Sequence, residues 1–224
     1  MDAAFAAALA CADPATRTLV LASRSPRRRA LLEEAIRKDS IRGGGAFSGT
    51  ALRIEPPRGD EAPPLPGEPA ADHALRLARA KAEEIALRLA RELGPGDVVL
   101  GADTVVVCGG EIIGQPADDE DARAILRKLA GRRQAVVTGV FIVEPSTGRR
   151  AEGSERTELE MSDMSEDEIA AYVASGESRG KAGAYAIQET GDRYVKIISG
   201  SRSNVVGLPV ERVAAMLGDL GATD

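Results

Sequence analysis

The sequence predicts a mixed α/β fold with helices packed on one sheet, and three observations support this fold class. Apolar runs of strand length alternate along the chain with segments of helical periodicity. Hydrophobic residues make up 43% of the 224 residues, which is enough for one large domain or for two small lobes that share a core. The 24 glycines and 12 prolines fit ordinary loops and not a disordered chain.

The first third of the chain predicts a strand, a polar turn and a helix. Residues 18–22, TLVLA, suit a buried strand, and the turn SRSPRRR follows. Ser25 can cap a helix, and Pro26 suits its first turn. The apolar stripe of this helix consists of Leu31, Leu32, Ala35 and Ile36. Residues 39–69 are irregular, with one strand expected near residues 52–54.

The middle of the chain predicts two helices separated by a hairpin. Helical periodicity covers residues 70–93, and its inward positions are Leu75, Ala78, Ala82, Ile85 and Leu89. Residues 97–114 predict two strands joined by a tight turn at Gly109-Gly110. An amphipathic helix follows at residues 118–129.

The last part predicts a long hairpin, a capped helix and a final helix. Residues 134–143 and 151–161 form the hairpin, and Ser165 with Glu168 begins a helix as a capping box. From there to residue 209 we expect Gly-rich turns alternating with short strands, one of them in AYAI just before Gln188. The expected organisation is an Ala-rich extension at residues 1–17, one domain at residues 18–218, and a tail at residues 219–224.

Charge and composition exclude several classes of protein. The formal net charge of −6 disfavours a non-specific nucleic-acid binder, although a local basic pocket can still attract a small anion. No apolar run reaches the ~18 residues of a membrane span. The first residues carry Asp2 and no early Lys or Arg, which argues against a signal peptide, so we expect a cytoplasmic protein. Cys11 and Cys108 are interpreted as ordinary reduced thiols.

The turn SRSPRRR is a candidate phosphate site. A helix N-terminus offers unpaired N–H groups and a positive dipole end. Ser23 and Ser25 add hydroxyl donors, and Arg27 and Arg28 add planar donors that match phosphate oxygens. The alternative is a capped helix whose arginines are solvated.

Asp103 is the candidate catalytic residue. It follows the apolar run VVLGA, so a strand would deliver its carboxylate to a sheet edge, where it can hold a divalent metal or accept a proton from water. The alternative is a turn residue that bonds local backbone. The adjacent Thr104 can bind a ligand or simply favour the strand.

Three further polar residues are weaker candidates when taken alone. Lys81 lies on a helix beside apolar residues and can bind phosphate or extend to solvent. Lys181 lies in a Gly-flanked loop, where backbone can approach a ligand closely. Gln188 can read a base edge with its amide or cap a strand end. His73, the one histidine, is interpreted as a surface residue, so a His-based triad or zinc site is not expected.

Taken together, the motifs resemble the Maf family of nucleotide pyrophosphatases. The resemblance covers residues 18–217 and consists of seven motifs in order: LASRSPRR, LARAKAEE, VLGADTVV, IIGQPADDEDA, VVTGV, SGESRGKAGAYAIQ and SNVVGLPV. It implies an elongated mixed sheet with flanking helices, which form two lobes around a nucleotide cleft as in inosine triphosphate pyrophosphatases. It also implies a divalent cation, Mg²⁺ or Mn²⁺, and a homodimer.

The resemblance assigns roles to the candidate residues. Asp103 matches the family's proton acceptor, and Glu61 matches an acidic cleft residue, so both are candidate metal ligands. Residues matched to the phosphate-binding cleft are Arg27, Arg28, Lys81 and Lys181. Arg27, Thr104 and Gln188 match positions linked to substrate choice. The pairing of GADT with AGAYAIQ resembles the branch that converts dTTP and UTP to the monophosphate and pyrophosphate, a role in nucleotide-pool housecleaning.

Two alternatives stay open at the level of sequence: a 7-methyl-GTP pyrophosphatase of the same family, and a non-enzymatic regulator of septum formation. The chain also departs from the family pattern. Gln115-Pro116 stands where the family usually has Lys-Pro, and Arg133-Gln134 stands where it often has Thr-His. Gly180 replaces an Asp that often precedes the matched lysine. The loss of a charge at Gln115 predicts lower activity, unless Arg132 or Arg133 substitutes for it.

Overall fold

A mixed sheet of seven strands is the frame of the computed structural model, which describes residues 17–59, 61–187 and 190–221. The strands are β1 Arg17–Ala22, β2 Thr50–Ile54, β3 Val98–Cys108, β4 Glu111–Ile113, β5 Arg133–Val143, β6 Arg150–Met161 and β7 Val195–Ser199. Their spatial order is β2-β1-β3-β5-β6-β7, with β4 paired to β3 beside β1. β1 runs parallel to β2 and β3, whereas the remaining pairs are antiparallel.

Helices follow the sequence signals closely. They are α1 Pro26–Arg42, α2 Ala70–Arg88, α3 Asp119–Leu129, α4 Glu166–Ala174, α5 Arg202–Val206 and α6 Val210–Gly221. Ser25 caps α1 by accepting a hydrogen bond from the backbone N–H of Arg28, and Ser165 with Glu168 forms the predicted capping box of α4. None of the helices that the structure describes combines the length and apolar character needed to cross a membrane.

The helices pack on the sheet in groups, and the separate cores that they form at its two ends define two lobes. α2 packs on one face of β1 and β3 through Ala78, Ala82 and Ile85. On the opposite face, α1 and α6 cover the end of the sheet that holds β1 and β2. A separate core under α3 and α4 covers the other end on that same face, around Leu126 and Leu159. The predicted mixed α/β fold with flanking helices is therefore confirmed.

Two glycines let α2 lie unusually close to the sheet. A Cβ atom at Gly101 of β3 would lie 2.0 Å from the backbone oxygen of Ala78, and one at Gly139 of β5 would lie 2.3 Å from the backbone nitrogen of Leu75. Both distances are far below van der Waals contact, so only glycine fits at these positions. The close packing fixes the height of α2 above β3 and β5.

One edge of β3 is open along part of its length. β1 pairs with β3 as far as Ala22 opposite Gly101, and β4 pairs with it from Val106 onward. Within the described residues, residues 102–105 consequently have no strand partner on this edge, while β5 pairs with the other edge. At about 3.3 Å a residue the opening is roughly 13 Å long. It lies beyond the carboxyl end of parallel strand β1, where α/β sheets commonly bind ligands.

The strand–turn–helix unit, both hairpins, the helix predicted at residues 118–129 and the final helix are confirmed, but the region after α4 differs from expectation. Residues 184–187 form no strand; a 3₁₀ turn covers Ala182–Ala184, Tyr185 after it is extended, and the chain bends at Ile187. The sequence SNVV lies in α5, because its Asn204 packs against β5 and β6 and bonds their backbone instead of joining a strand ladder.

The boundaries of the fold also differ slightly from the expected ones. β1 begins at Arg17, and the rest of the expected extension at residues 1–17 lies outside the described residues. α2 ends at Arg88, earlier than residue 93. α6 continues to Gly221 with Leu220 buried, so the folded domain extends past residue 218 into the expected tail.

Candidate active site

A cavity of about 850 Å³ opens between the two lobes at the free edge of β3. Nine of the residues proposed from the sequence line it: Ser23, Ser25, Arg27, Arg28, Glu61, Lys81, Asp103, Thr104 and Lys181. The tenth, Gln188, lies outside the described residues. Residues separated by up to 158 positions in the chain, Ser23 and Lys181, thus meet at one cleft. The volume is that of a pocket for a ligand of nucleotide size.

An acid–base cluster forms one wall of the cavity. Nζ of Lys81 on α2 lies 2.6 Å from Oδ1 of Asp103 on β3 and 2.6 Å from Oε1 of Glu61 in the loop before α2. Asp103 is 5% exposed, whereas the side chain of Glu61 is 53% exposed. One ammonium therefore bridges a buried carboxylate and a solvated one.

The two carboxylates have pKa values shifted in opposite directions. Burial raises the pKa of Asp103, and the positive charges of Lys81 and Arg28 offset this only in part. Burial alone would raise the pKa of Glu61 too, but the hydrogen bond and charge of Lys81, helped by Arg28, hold it below its usual value. Divergent environments of this kind are typical of carboxylate pairs in which one group exchanges a proton and the other stays ionised.

The guanidinium of Arg28 forms hydrogen bonds to three parts of the site. Its Nε donates to the backbone oxygen of Gly207 at 2.8 Å, and its Nη1 donates to Ala102 O at 2.8 Å and to Ser23 Oγ at 3.4 Å. Its Nη2 donates to Thr104 Oγ1 at 3.0 Å. Four of the five N–H groups of a guanidinium are thereby used within the protein. Arg28 contributes its charge to the cavity and holds the surrounding backbone in place.

Thr104 has a hydroxyl that is likewise engaged by the protein. Besides accepting from Arg28, its Oγ1 lies 3.0 Å from Oγ1 of Thr138 and 3.2 Å from the backbone oxygen of Gly207. Since a hydroxyl has one proton and two lone pairs, these contacts occupy most of its hydrogen-bonding capacity. The Thr104 side chain therefore shapes the wall of the cavity more than it offers a hydroxyl to a ligand.

The amino end of α1 forms a second polar wall. Ser23 Oγ accepts from the backbone N–H of Ser25 at 3.1 Å, and Ser25 Oγ accepts from that of Arg28 at 3.4 Å. Each hydroxyl oxygen is held by an N–H group, which leaves its own proton as a donor. Together with the positive end of the helix dipole, this wall suits a phosphate.

The far lobe supplies the opposite wall. Lys181 is 8% exposed and lines the cavity, with Gln115 and Arg179 near it. Arg132 and Arg133, the suggested substitutes for a lysine at position 115, do not line the cavity. Arg133 is exposed and lies 3.7 Å from Glu160 on the neighbouring strand. Arg179, by contrast, lines the cavity and pairs with Asp119 at 3.2 Å.

His73 is the residue that the sequence interpretation placed wrongly. The residue is only 4% exposed and lines the cavity, with Nδ1 3.1 Å from Oε2 of Glu68. It shares one face of α2 with Leu77 and Lys81, at spacings of four residues, and all three line the cavity. The polar neighbours of His73 in sequence hid this placement, but the i, i+4, i+8 spacing to Lys81 was the signal that could have found it.

Comparison with known proteins agrees with this arrangement. The family model described as "Maf-like protein" matches residues 18–220. The chain belongs to the Maf family. Similar proteins include a dTTP/UTP pyrophosphatase of Anaeromyxobacter dehalogenans (strain 2CP-C), 45% identical over 201 residues that cover 89% of this chain and 92% of the relative. A dTTP/UTP pyrophosphatase of Geobacter sp. (strain M21) is 42% identical over 205 residues, 92% of this chain and 96% of the relative.

Membership of the Maf family confirms the resemblance inferred from the seven motifs. A third relative, a dTTP/UTP pyrophosphatase of Sphingopyxis alaskensis, is 43% identical over 203 residues, 91% of this chain and 96% of the relative. The matched range contains every residue of the acid–base cluster and of both polar walls. In this Maf chain the cleft between the lobes combines a buried carboxylate, ammonium groups and a helix N-terminus, which is a set suited to hydrolysis of a phosphate anhydride.

Proposed function

We propose that this Maf chain hydrolyses dTTP and UTP to the nucleoside monophosphate and pyrophosphate. The observation that carries the proposal is the buried carboxylate of Asp103, which has a raised pKa and lies 2.6 Å from Lys81 on the wall of a cavity between two basic surfaces. The names of the relatives, dTTP/UTP pyrophosphatase, give the substrate class.

Substrate binding rests on charge neutralisation. A triphosphate carries about four negative charges near neutral pH, so attack by a hydroxide-like nucleophile is opposed until that charge is balanced. Lys81, Lys181 and the amino end of α1 provide ammonium groups, hydroxyl donors and a positive dipole on facing walls of the cavity. Arg28 adds a fixed positive charge and positions Ser23 and Thr104.

A divalent cation, Mg²⁺ or Mn²⁺, fits the carboxylates of this site. Glu61 and Asp103 each lie within hydrogen-bond distance of the same ammonium, so their oxygens can also approach one metal ion. One or two carboxylates completed by substrate phosphates are the usual protein ligands of Mg²⁺. When bound, such an ion would neutralise phosphate charge and favour departure of pyrophosphate.

The reaction step uses Asp103 as proton acceptor. Water attacks the α-phosphorus, its oxygen forms the new P–O bond, and the bond from the α-phosphorus to the bridging oxygen breaks to release pyrophosphate. The proton of the attacking water passes to Asp103, whose raised pKa makes it a stronger base than an exposed carboxylate. The ammonium of Lys81 holds Asp103 in place and balances its charge.

Base selection is assigned to the part of the cavity near Thr104. Arg27 and Thr104 narrow this end, and Gln188, which follows the described segment ending at residue 187, supplies an amide that can both donate and accept. We expect dTTP and UTP to be hydrolysed faster than CTP, ATP or GTP. The homodimer and the cytoplasmic location implied by the resemblance remain predictions, and sedimentation and cell fractionation test them.

Product analysis across a nucleotide panel tests the function. Purified protein with Mg²⁺ or Mn²⁺ is incubated with dTTP, UTP, CTP, ATP, GTP and 7-methyl-GTP, and products are separated by anion-exchange chromatography. The expected result is monophosphate and pyrophosphate in equal amounts, with the highest kcat/KM for dTTP and UTP. A preference for 7-methyl-GTP would move the chain to that branch, and no turnover of any nucleotide would favour a non-enzymatic role.

A further inference from the structure

At the open edge of β3, the backbone N–H and C=O of Thr104 point into the cavity. Ala102 O accepts a hydrogen bond from Arg28 Nη1, so the peptide groups of Ala102 face the open edge. In an extended strand the N–H and C=O of alternate residues point to the same side. The N–H and C=O of Thr104 therefore face that edge too, beyond the last residue paired with β1 and before the first paired with β4.

The contact between Thr104 and Thr138 supports this direction independently. The two residues are opposite each other in the antiparallel pair of β3 and β5, and their Oγ1 atoms are 3.0 Å apart. Side chains come this close at pairs that exchange no backbone hydrogen bonds. The peptide groups of Thr104 thus point away from β5, to an edge on which no strand of the described chain pairs with them.

The surroundings of this edge suit a nucleobase better than a phosphate. Arg28 occupies one side of this edge through Ala102 O and Thr104 Oγ1. The cavity lining also includes five apolar side chains, those of Val106, Val136, Ile187, Val205 and Val206. Such side chains pack against the faces of a flat ring but offer no donor to an anion. A phosphate at this position would also be repelled by the carbonyl oxygen of Thr104. An ionised phosphate has hydrogen-bond acceptors and no donor, so it cannot match the adjacent N–H donor and C=O acceptor of Thr104.

We propose that the backbone N–H and C=O of Thr104 read the hydrogen-bonding edge of uracil or thymine. The carbonyl accepts from N3–H of the base, and the N–H donates to the O4 carbonyl of the base, as a partner residue would in an antiparallel pair. Cytosine in the same pose presents a lone pair at N3 and a donor at N4, so both contacts become repulsive. This inference rests on the proposed function and names the group that selects the base.

The side chain of Thr104 then has a positioning role. Its hydroxyl and the carbonyl of Ala102 are both held by Arg28, which itself is fixed to Gly207. These bonds keep the edge of β3 in one conformation before the base arrives. Preorganisation of this kind lowers the cost of ordering a site on binding.

Amide hydrogen exchange followed by NMR tests the proposal directly. In the ligand-free protein, the Thr104 amide should exchange at least about tenfold faster than the amides of Asp103 and Val105, which face β5. Saturating α,β-imido-UTP should abolish that difference and shift the Thr104 amide proton downfield, while α,β-imido-CTP should do neither. A Thr104 amide that is already protected, or is unchanged by α,β-imido-UTP, would overturn the proposal.

A base analogue distinguishes recognition of the base by the Thr104 backbone from recognition by the Gln188 side chain. N3-methyl-UTP lacks the N3–H donor, so its kcat/KM should fall at least tenfold below that of UTP, in the wild type and in Gln188→Ala alike. If Gln188→Ala hydrolyses both nucleotides equally, Gln188 and not the edge of β3 reads the base. Absence of any UTP or dTTP hydrolysis by the wild type would contradict the proposed function, whereas the amide exchange would still decide whether Thr104 binds the base.

Discussion

Lys81 Nζ lies 2.6 Å from Asp103 Oδ1, and this ion pair joins the cavity-facing side of α2 to the middle of β3. The side chains of Lys81 and Asp103 are 12% and 6% exposed, so the pair is largely removed from water. Its geometry depends on Gly101, two residues before Asp103, whose missing Cβ lets α2 approach the sheet. The pair links the packing of the helix to the protonation of the base, and the first two predictions follow from it.

Replacement of Asp103 by Asn should remove the proton acceptor while keeping the shape of the side chain. We expect kcat to fall by about 100-fold or more, which is the usual contribution of a positioned general base. The variant should stay folded, because Lys81 keeps Glu61 as a partner. Steady-state kinetics with UTP and a thermal melt measure the two effects. Near-normal turnover by a folded variant loaded with metal would refute the assignment.

Replacement of Lys81 by Met should move the pH profile. Activity requires the ionised carboxylate, so kcat/KM falls as the pH drops through the pKa of Asp103, which lies above the ordinary value for Asp. Lys81 lowers that pKa, and its loss should therefore shift the acid limb to higher pH. Lys128→Met, which removes a half-buried lysine of α3 that pairs with Glu111 outside the cavity lining, is the matched control and should leave the limb in place.

An unmoved acid limb in Lys81→Met would show that the limb does not report Asp103. Asp103→Asn gives the same check from the other side, since the limb should disappear in whatever activity that variant retains. The two variants together separate the titration of the base from a general loss of phosphate binding, which would lower kcat/KM at every pH without moving the limb.

Gln115→Lys should raise activity by supplying a charge to the far wall of the cavity. Gln115 lines the cavity, so a lysine there can reach a bound triphosphate. A charge-assisted hydrogen bond contributes about 1.5–3 kcal/mol, or roughly 10- to 100-fold in kcat/KM. Ala117→Lys, which adds the same charge at an exposed residue outside the cavity lining, is the control. No gain would mean that Arg179 or Lys181 already fills the role.

Glu144 should stabilise the fold in a pH-dependent way. Its buried carboxylate closes the β5–β6 hairpin by accepting hydrogen bonds from Gly96 N, Ser146, Thr147 and Arg149, and these lower its pKa to about 2. Because the pKa of Glu144 is lower in the folded protein than in the unfolded chain, its ionised form stabilises the fold at any pH above the unfolded pKa. That stabilisation is lost as the pH falls from roughly 4.5 toward 2.

Glu144→Gln tests this by denaturant unfolding at two pH values. We expect the free energy of unfolding to fall by about 2–3 kcal/mol at pH 7, since hydrogen bonds to a charged acceptor are lost. The difference from the wild type should shrink at pH 3. Glu83→Gln, at an exposed position of α2, should change stability little at either pH. An equal effect at both pH values would show that the charge of Glu144 is not the cause.

Local signals in the sequence were enough to predict most elements. Ser25, the capping box at Ser165 and the Gly109-Gly110 turn act within a few residues, so their geometry follows from the chain itself. The apolar run at residues 184–187 was ambiguous, because burial in a core accounts for it as well as pairing in a sheet does. The structure resolves that ambiguity through packing: Tyr185 and Ile187 are buried in the core under α3 and α4.

The functional arrangement depends on contacts that sequence alone does not display. The motifs identified the residues around the cavity, but the four bonds of Arg28 join positions up to 179 residues apart. The open edge of β3 exists only because β1 and β4 pair with different parts of one strand. Register of this kind is set by the assembled sheet. His73 was misplaced for a different reason: its polar neighbours in sequence concealed the buried face of α2 on which it lies.

Hydrolysis of UTP in H₂¹⁸O tests the central claim most directly. If water activated by Asp103 attacks the α-phosphorus, mass spectrometry will find one ¹⁸O atom in UMP and none in pyrophosphate, and Asp103→Asn will slow appearance of the label at least about 100-fold. Label in pyrophosphate, or release of labelled orthophosphate with UDP, would place the attack on another phosphorus and contradict the account.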